Sequence, residues 1–176
     1  MKYSGLGLVI LALILIAGSC SPFQMMDKRS KVLAANKEGV IRGMYFDLPI
    51  DSVKKLEMLP LIEEQPDYLR YIMIPEDFPQ DTLEVEYIFN GDLILDFIAI
   101  NYRTPEDDDI KDMTGNLKEF FEDKYGSCRQ DELGWHTWDL KDTIGIPGTI
   151  EIVLKSETQP EYKGVKLELV KYFAGE

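Results

Sequence analysis

The stretch Leu83-Glu84-Val85-Glu86-Tyr87-Ile88-Phe89-Asn90-Gly91-Asp92-Leu93-Ile94-Leu95-Asp96-Phe97-Ile98-Ala99-Ile100-Asn101 decides the fold class. Its first arm alternates. Leu83, Val85, Tyr87 and Phe89 fall on one face and Glu84 and Glu86 on the other, the period of two that a strand with one buried face produces. Asn90-Gly91 predicts a two-residue type I′ hairpin turn, because both central positions of that turn need positive φ. The return arm, Leu93 to Asn101, places Leu93, Leu95, Phe97 and Ala99 on one face.

Outward from this hairpin, four more segments read as strands. Tyr68 to Ile74 is rich in β-favouring residues. Trp135 to Leu140, Thr149 to Lys155 and Val165 to Tyr172 are separated by Gly145, Pro147, Gly148, Pro160 and Gly164, and Val165, Leu167 and Leu169 oppose Lys166 and Glu168. Two segments read as helices. In the first, Pro49 takes the opening position, Ile50, Val53 and Leu56 lie at helical spacing, and Pro60 stops it. The second opens with Thr104 as N-cap and Pro105 at the first position. Ile110, Met113, Leu117, Phe120 and Phe121 form its apolar stripe, and Gly126 ends it. Gly115 inside it costs about 1 kcal/mol against Ala. The expected fold is α+β, an antiparallel sheet of about six strands with two helices on one face. The order helix, strand, strand, strand recurs in residues 39–103 and 104–176, a tandem repeat of pattern rather than of identity.

A chain of 176 residues with 45% hydrophobic residues supports one domain with a packed core. Asp and Glu number 32 against 19 Lys and Arg, for a net charge of −13. That balance excludes the basic footprint of a nucleic-acid binder and the polybasic patch of a membrane-surface protein.

Residues 1–20, MKYSGLGLVILALILIAGSC, form an address. Lys2 precedes an apolar run, Leu6 to Ile16, that is too short for a comfortable membrane span. Ala17, Gly18, Ser19 and Cys20 follow. This junction resembles the bacterial lipobox, with Ala17 where that family most often has Leu. The resemblance implies cleavage before Cys20 and lipidation of Cys20. Residues 1–19 are then a signal peptide, 20–38 a lipidated tether and 39–176 the domain. Ser21, in place of Asp, resembles an outer-membrane address. The absence of an early acidic run after Cys20 favours a position facing the periplasm. Loss of Lys2 with the leader takes the net charge to −14.

With Cys20 carrying lipid, Cys128 has no disulfide partner, and it reads as a small buried hydrophobe rather than a reactive thiol. His136 reads as a half-exposed strand residue sharing a face with Trp138. No Gly-x-Ser-x-Gly elbow supplies it with a nucleophile. One His and one available Cys do not make a zinc site. The acids Glu106, Asp107, Asp108, Asp109 and Asp112 lack EF-hand spacing and suit a helix start. No phosphate-cradling glycine loop is present. The expectation is therefore no metal, no cofactor and no enzyme. Tyr68, Tyr71, Tyr87, Trp135 and Trp138 are sheet core or partner anchors, and Tyr68, Tyr71, Trp135 and Trp138 are the candidate partner contacts.

Gly43-Met44 shortly before Asp51-Ser52-Val53-Lys54, behind a lipobox and a tether, resembles small outer-membrane lipoproteins of the BamE/SmpA type. Tyr45 replaces the usual Ser or Thr, and an insertion runs through Leu48. Leu117, Phe120 and Lys124-Tyr125-Gly126 followed by Trp135 to Asp139 resemble the helix–strand–strand unit of β-lactamase-inhibitor-protein-like domains, which occur in tandem. These resemblances imply a non-enzymatic binding or scaffolding module, and no contact residue carries over from either. The expected function is a lipid-anchored envelope protein that binds another protein, with the acid surplus suiting a basic partner. An immunity protein or inhibitor of a basic toxin or enzyme is one form of it. A carrier or sensor of a small apolar ligand held between sheet and helices is the alternative from another class. A hydrolase using paired carboxylates is the third reading.

Overall fold

Twelve elements follow one another in the computed structural model, which describes residues 22–142, 146–159 and 162–173. Residues 1–21, which hold the expected signal peptide, Cys20 and Ser21, lie outside the described residues, as do Gly145 and Pro160. The elements are α1 (Pro22–Met25), α2 (Lys28–Ala34), α3 (Ile50–Leu56), β1 (Leu61–Gln65), β2 (Tyr68–Met73), β3 (Thr82–Phe89), β4 (Leu95–Arg103), α4 (Asp107–Tyr125), β5 (Arg129–Gln130), β6 (His136–Asp142), β7 (Gly148–Gln159) and β8 (Tyr162–Phe173). The α+β class and the antiparallel sheet stand. The counts differ from the expectation, with eight strands and four helices among the described residues.

All eight strands form one sheet in the order β1-β2-β3-β4-β8-β7-β6-β5. Each half of the chain contributes a helix and then a four-stranded meander, and the last strands of the two meanders, β4 and β8, meet at the centre. The pairs Ile98–Leu169, Ile100–Leu167 and Tyr102–Val165 form that seam, and all six side chains are buried on the helix side. Gly164 is required there, because a Cβ on it would lie 2.0 Å from the Tyr102 carbonyl oxygen. The two unexpected strands are the sheet edges. β1 is mostly exposed and β5 has two residues, so neither carries the alternating burial that marks a strand in sequence.

The hairpin that announces the fold turns differently from its signal. Leu93 N–H donates to the Asn90 carbonyl, so Gly91 and Asp92 are the central pair, and Leu93 takes the left-handed conformation at φ 58°. Asn90 works through its side chain, which accepts from the N–H groups of Asp92 and Ile94. Phe89 pairs with Leu95 and Ile88 with Phe97, leaving Asp96 as a bulge. That extra residue moves the following side chains to the other face. Leu95, Ile98, Ile100 and Tyr102 enter the core, whereas Leu93 is 44% exposed and Phe97 and Ala99 face away from the helices.

The helices also shift. α4 begins at Asp107 with Glu106 at the cap, two residues beyond the predicted Thr104–Pro105 opening, and Thr104 is buried. Ile110, Met113, Leu117, Phe120 and Phe121 are the buried stripe, as the spacing predicts. Gly126, at φ 86°, closes the helix with its N–H on the Glu122 carbonyl.

Residues 22–38 are not a free tether. Asp27 caps α2 by accepting from the N–H groups of Arg29 and Ser30, and the Asn116 amide of α4 reaches Asp27 at 2.8 Å. Met26, Leu33 and Ala34 belong to the core, and Phe23 packs on Phe120 with ring centroids 6.1 Å apart. Arg29 bridges Asp81 at 2.7 Å and Asp109 at 3.0 Å. Charges spread through a segment make it look solvated in sequence, although here the apolar residues between them are buried.

Two buried ionic clusters fasten the segment before α3. In the first, Arg42 forks onto both carboxylate oxygens of Glu57 at 2.9 Å and donates to the carbonyls of Val32 and Leu33. Glu57 also accepts from the Tyr87 hydroxyl and from the N–H groups of Met58 and Leu59. Burial pushes the Glu57 carboxyl up, but these donors outweigh it and hold its pKa below the ordinary value of 4.5. In the second cluster, the buried Lys171 ammonium lies 2.6 Å from Asp47 and 2.8 Å from Asp142. The Asp47 oxygen that holds Lys171 also accepts from Ile146 N–H, while the other Asp47 oxygen is buried without a hydrogen-bond partner.

Candidate functional site

The strand register sorts the four candidate contacts. Tyr71 and Trp138 point to the helix side, and each is 2% exposed. Tyr71 packs edge-on against Tyr87, and Trp138 packs on Phe121 while its indole N–H donates to the Gly126 carbonyl. They present no surface to a partner, since core membership on an alternating strand excludes them. Tyr87, the fifth aromatic of that set, is core as well. Tyr68 and Trp135 lie on the opposite face. The Tyr68 hydroxyl donates to Glu86 at 2.7 Å, and Trp135 lies under the Lys155 ammonium, 4.4 Å from the ring centroid.

That opposite face carries no helix among the described residues, and its charges are largely paired with one another. Arg70 binds Glu84 at 2.5 Å, and both Lys155 and Lys166 bind Glu168, at 2.5 and 2.8 Å. A face whose ions already satisfy each other offers a partner little electrostatic gain.

The exposed apolar surface lies elsewhere. Leu56 at the end of α3, Met58 in the turn after it, and Leu61 and Ile62 on β1 are 47%, 88%, 41% and 58% exposed. Four large apolar side chains in seven residues are turned to solvent at the outermost strand of the sheet. Among the described residues β1 pairs with β2 alone, and a bulge between Leu61 and Glu63 twists it. Lys54 and Arg70 pair with the neighbouring Glu64 and Glu63, setting a polar rim around the apolar residues. An apolar centre with a charged rim is the pattern that interaction surfaces share. Aromatic residues in the sequence do not point to this patch, because its residues are aliphatic and follow a helix stop. The clue available in sequence was the run Leu56, Met58, Leu59, Leu61 and Ile62, too long to be buried under a single short helix.

Cys128 and His136, read separately in the sequence, come together across the β5–β6 turn. Cys128 Sγ lies 3.5 Å from His136 Nδ1 and 3.7 Å from Glu122. Burial and then Glu122 raise the thiol pKa, and burial and then Lys118 lower that of the imidazole. Both shifts favour the neutral thiol and the neutral imidazole. A nucleophilic cysteine needs the opposite, a thiolate beside an imidazolium. No group of three or more His, Cys, Asp or Glu is placed to hold a metal among the described residues. No helix among them is long and apolar enough to cross a membrane.

Comparison with known proteins finds no matching family model, curated relative or solved structure. The functional reading therefore rests on the chain's own geometry.

Proposed function

We propose that this protein is a lipid-anchored cell-envelope module, held in the outer membrane facing the periplasm, that binds another protein along the α3–β1 edge. The observation that carries this reading is the cluster of Leu56, Met58, Leu61 and Ile62 exposed around the edge strand. The acid surplus of 32 against 19 favours a partner of positive net charge, whose approach it speeds and whose orientation it selects. The lipobox-like junction supplies the anchor. Only Ser21 separates Cys20 from α1, a reach of about 7 Å, so the folded domain is carried close to the bilayer. α1 packs on α4 over the second half of the sheet. β1 lies four strand spacings beyond β8, about 19 Å away, and is free to meet a partner.

Two measurements test this. Cys20→Ser abolishes metabolic labelling with a radiolabelled fatty acid; persistent labelling removes the anchor. Met58→Asp with Ile62→Asp, made in the lipidated chain, abolishes photo-cross-linking from a probe at Leu56 to a stoichiometric partner and leaves the thermal melt unchanged, because both side chains are solvated. Undiminished cross-linking in the double variant, or a wild-type chain with no stoichiometric cross-link at low salt, overturns the assignment.

A further inference from the structure

A cleft of about 500 Å³ opens between the end of α4, the loop that follows α2 and the end of β6. It lies in the second half of the molecule, over the sheet's opposite end from the α3–β1 edge. Val40, Phe46, Leu140 and Ile150 line it, three of them buried to 8% exposure or less. The volume falls within the range of small-molecule sites.

The charges in the cleft are unusual for this chain. Arg29, Arg42, Lys155 and Lys171 are cations withdrawn from solvent, and each touches a carboxylate. Lys124, which lines the cleft and is half-buried, forms no ion pair among the described residues. Its ammonium donates to the carbonyls of Lys37 and Gly39 and lies 5.6 and 5.4 Å from the ring centroids of Phe120 and Tyr125. An ammonium has three donors, so one is left over. Burial lowers the Lys124 pKa, and the charge of Glu38, which is exposed and makes no salt bridge to it, offsets only part of that effect. The carboxylates that line the cleft are already engaged, Asp139 by Arg129 at 2.7 Å and Asp142 by Lys171 at 2.8 Å. A protein with a net charge of −13 thus keeps an apolar cleft with a half-buried ammonium that makes no salt bridge among the described residues.

We infer that this cleft binds a small apolar carboxylate, with the hydrocarbon against Val40, Phe46, Leu140 and Ile150 and the anionic end on Lys124. The apolar walls contribute affinity through buried area, and the ammonium selects charge sign. This site is independent of the α3–β1 edge, so either assignment can fail without the other.

The test uses the full chain in neutral-lipid nanodiscs, titrated with carboxyl-¹³C octanoate and read by NMR, with empty discs as the blank. Octanoate binds saturably at one site per chain, and octylammonium and octanol compete for it poorly. Lys124→Met weakens octanoate about tenfold and leaves octanol unaffected, whereas Lys124→Arg stays within about threefold of wild type. Leu140→Trp fills the cleft and removes binding. The inference is overturned if octylammonium or octanol competes as well as octanoate, if folded Lys124→Met binds octanoate like wild type, or if an apolar peptide with a free C-terminus binds while octanoate does not. Should Lys124→Met fail to fold, the preference of the wild-type chain for octanoate over octylammonium decides the matter alone.

Discussion

Glu57 and Lys171 are both charged, both buried, and both tie the segment preceding α3 to the rest of the molecule, yet their surroundings differ. Glu57 receives the Arg42 fork, the Tyr87 hydroxyl and two backbone N–H groups, so its two oxygens are saturated by donors from three parts of the first half. Lys171 faces two carboxylates, and one oxygen of Asp47 is left without a donor. The first half closes over its ionic cluster. The second half keeps its cluster beside an open cleft, since Asp142 belongs to both. The contrast separates two uses of buried charge. A saturated network fixes chain geometry, and a partly satisfied one leaves a buried polar atom without a donor.

Glu57→Ala breaks the saturated network and has the largest expected effect. It leaves the Arg42 guanidinium, 5% exposed, with backbone carbonyls as its remaining partners. Removing one member of such a pair costs about 3–5 kcal/mol, read from urea unfolding. Arg42→Met combined with Glu57→Leu recovers much of the loss, because no buried charge is left unpaired. A double variant no more stable than Glu57→Ala would show that Glu57 acts through Tyr87 and the turn N–H groups rather than through Arg42.

Lys171→Met breaks the open cluster at lower cost. The Asp47 and Asp142 side chains retain 15% and 11% exposure, so water takes over part of the ammonium's role, and the expected loss is about 2–3 kcal/mol. Asp142→Asn is milder, within about 1 kcal/mol, because Lys171 keeps Asp47. If Asp142→Asn matched Lys171→Met, the two clusters would be equally saturated and the contrast between the halves would fail.

The same contrast explains what could be read from the chain alone. The class, the central strands and the stripe of α4 were legible, because burial on one face imposes period two on Leu83–Phe89 and Val165–Leu169 and a helical period on Ile110–Phe121. The edges were not, because β1 and β5 bury almost nothing and so carry no period. The turn at Asn90 was signalled by a dipeptide whose usual geometry the bulge at Asp96 displaces, and half a strand changed face with it. Of the candidate contacts, alternation placed Tyr71 and Trp138 inside. The place of Lys124 in a cleft with Val40 and Ile150, with no salt bridge among the described residues, could not be seen in the chain, because ion pairing is a property of three-dimensional neighbours.

A pH profile sharpens the comparison with a smaller signal. The folded-state pKa of Glu57 is depressed, so its contribution is present above the ordinary value of 4.5 and is lost as pH falls through the lower folded value. The urea midpoint of the wild-type chain therefore declines on acidification below about pH 5. Glu57→Gln is less stable at neutral pH and shows a shallower decline. An identical slope in wild type and Glu57→Gln would remove the saturated network as a source of acid sensitivity.

Gly115→Ala is the smallest expected change and asks whether the halves are energetically one. Gly115 is exposed in the middle of α4, with no neighbouring atom where a Cβ would go. Alanine there limits the unfolded chain without straining the folded one, a gain of about 0.5–1 kcal/mol. α4 covers β6, β7 and β8, the half with the open cluster. The β4–β8 seam joins that half to the first through seven paired positions, all in one sheet. If the seam makes unfolding a single transition, the gain from Gly115→Ala and the loss from Glu57→Ala appear on the same cooperative curve and add when combined, since the sites share no partners. Two transitions, with Gly115→Ala moving one and Glu57→Ala the other, would mean that each helix–meander unit is its own folding unit and that the seam is an interface between them.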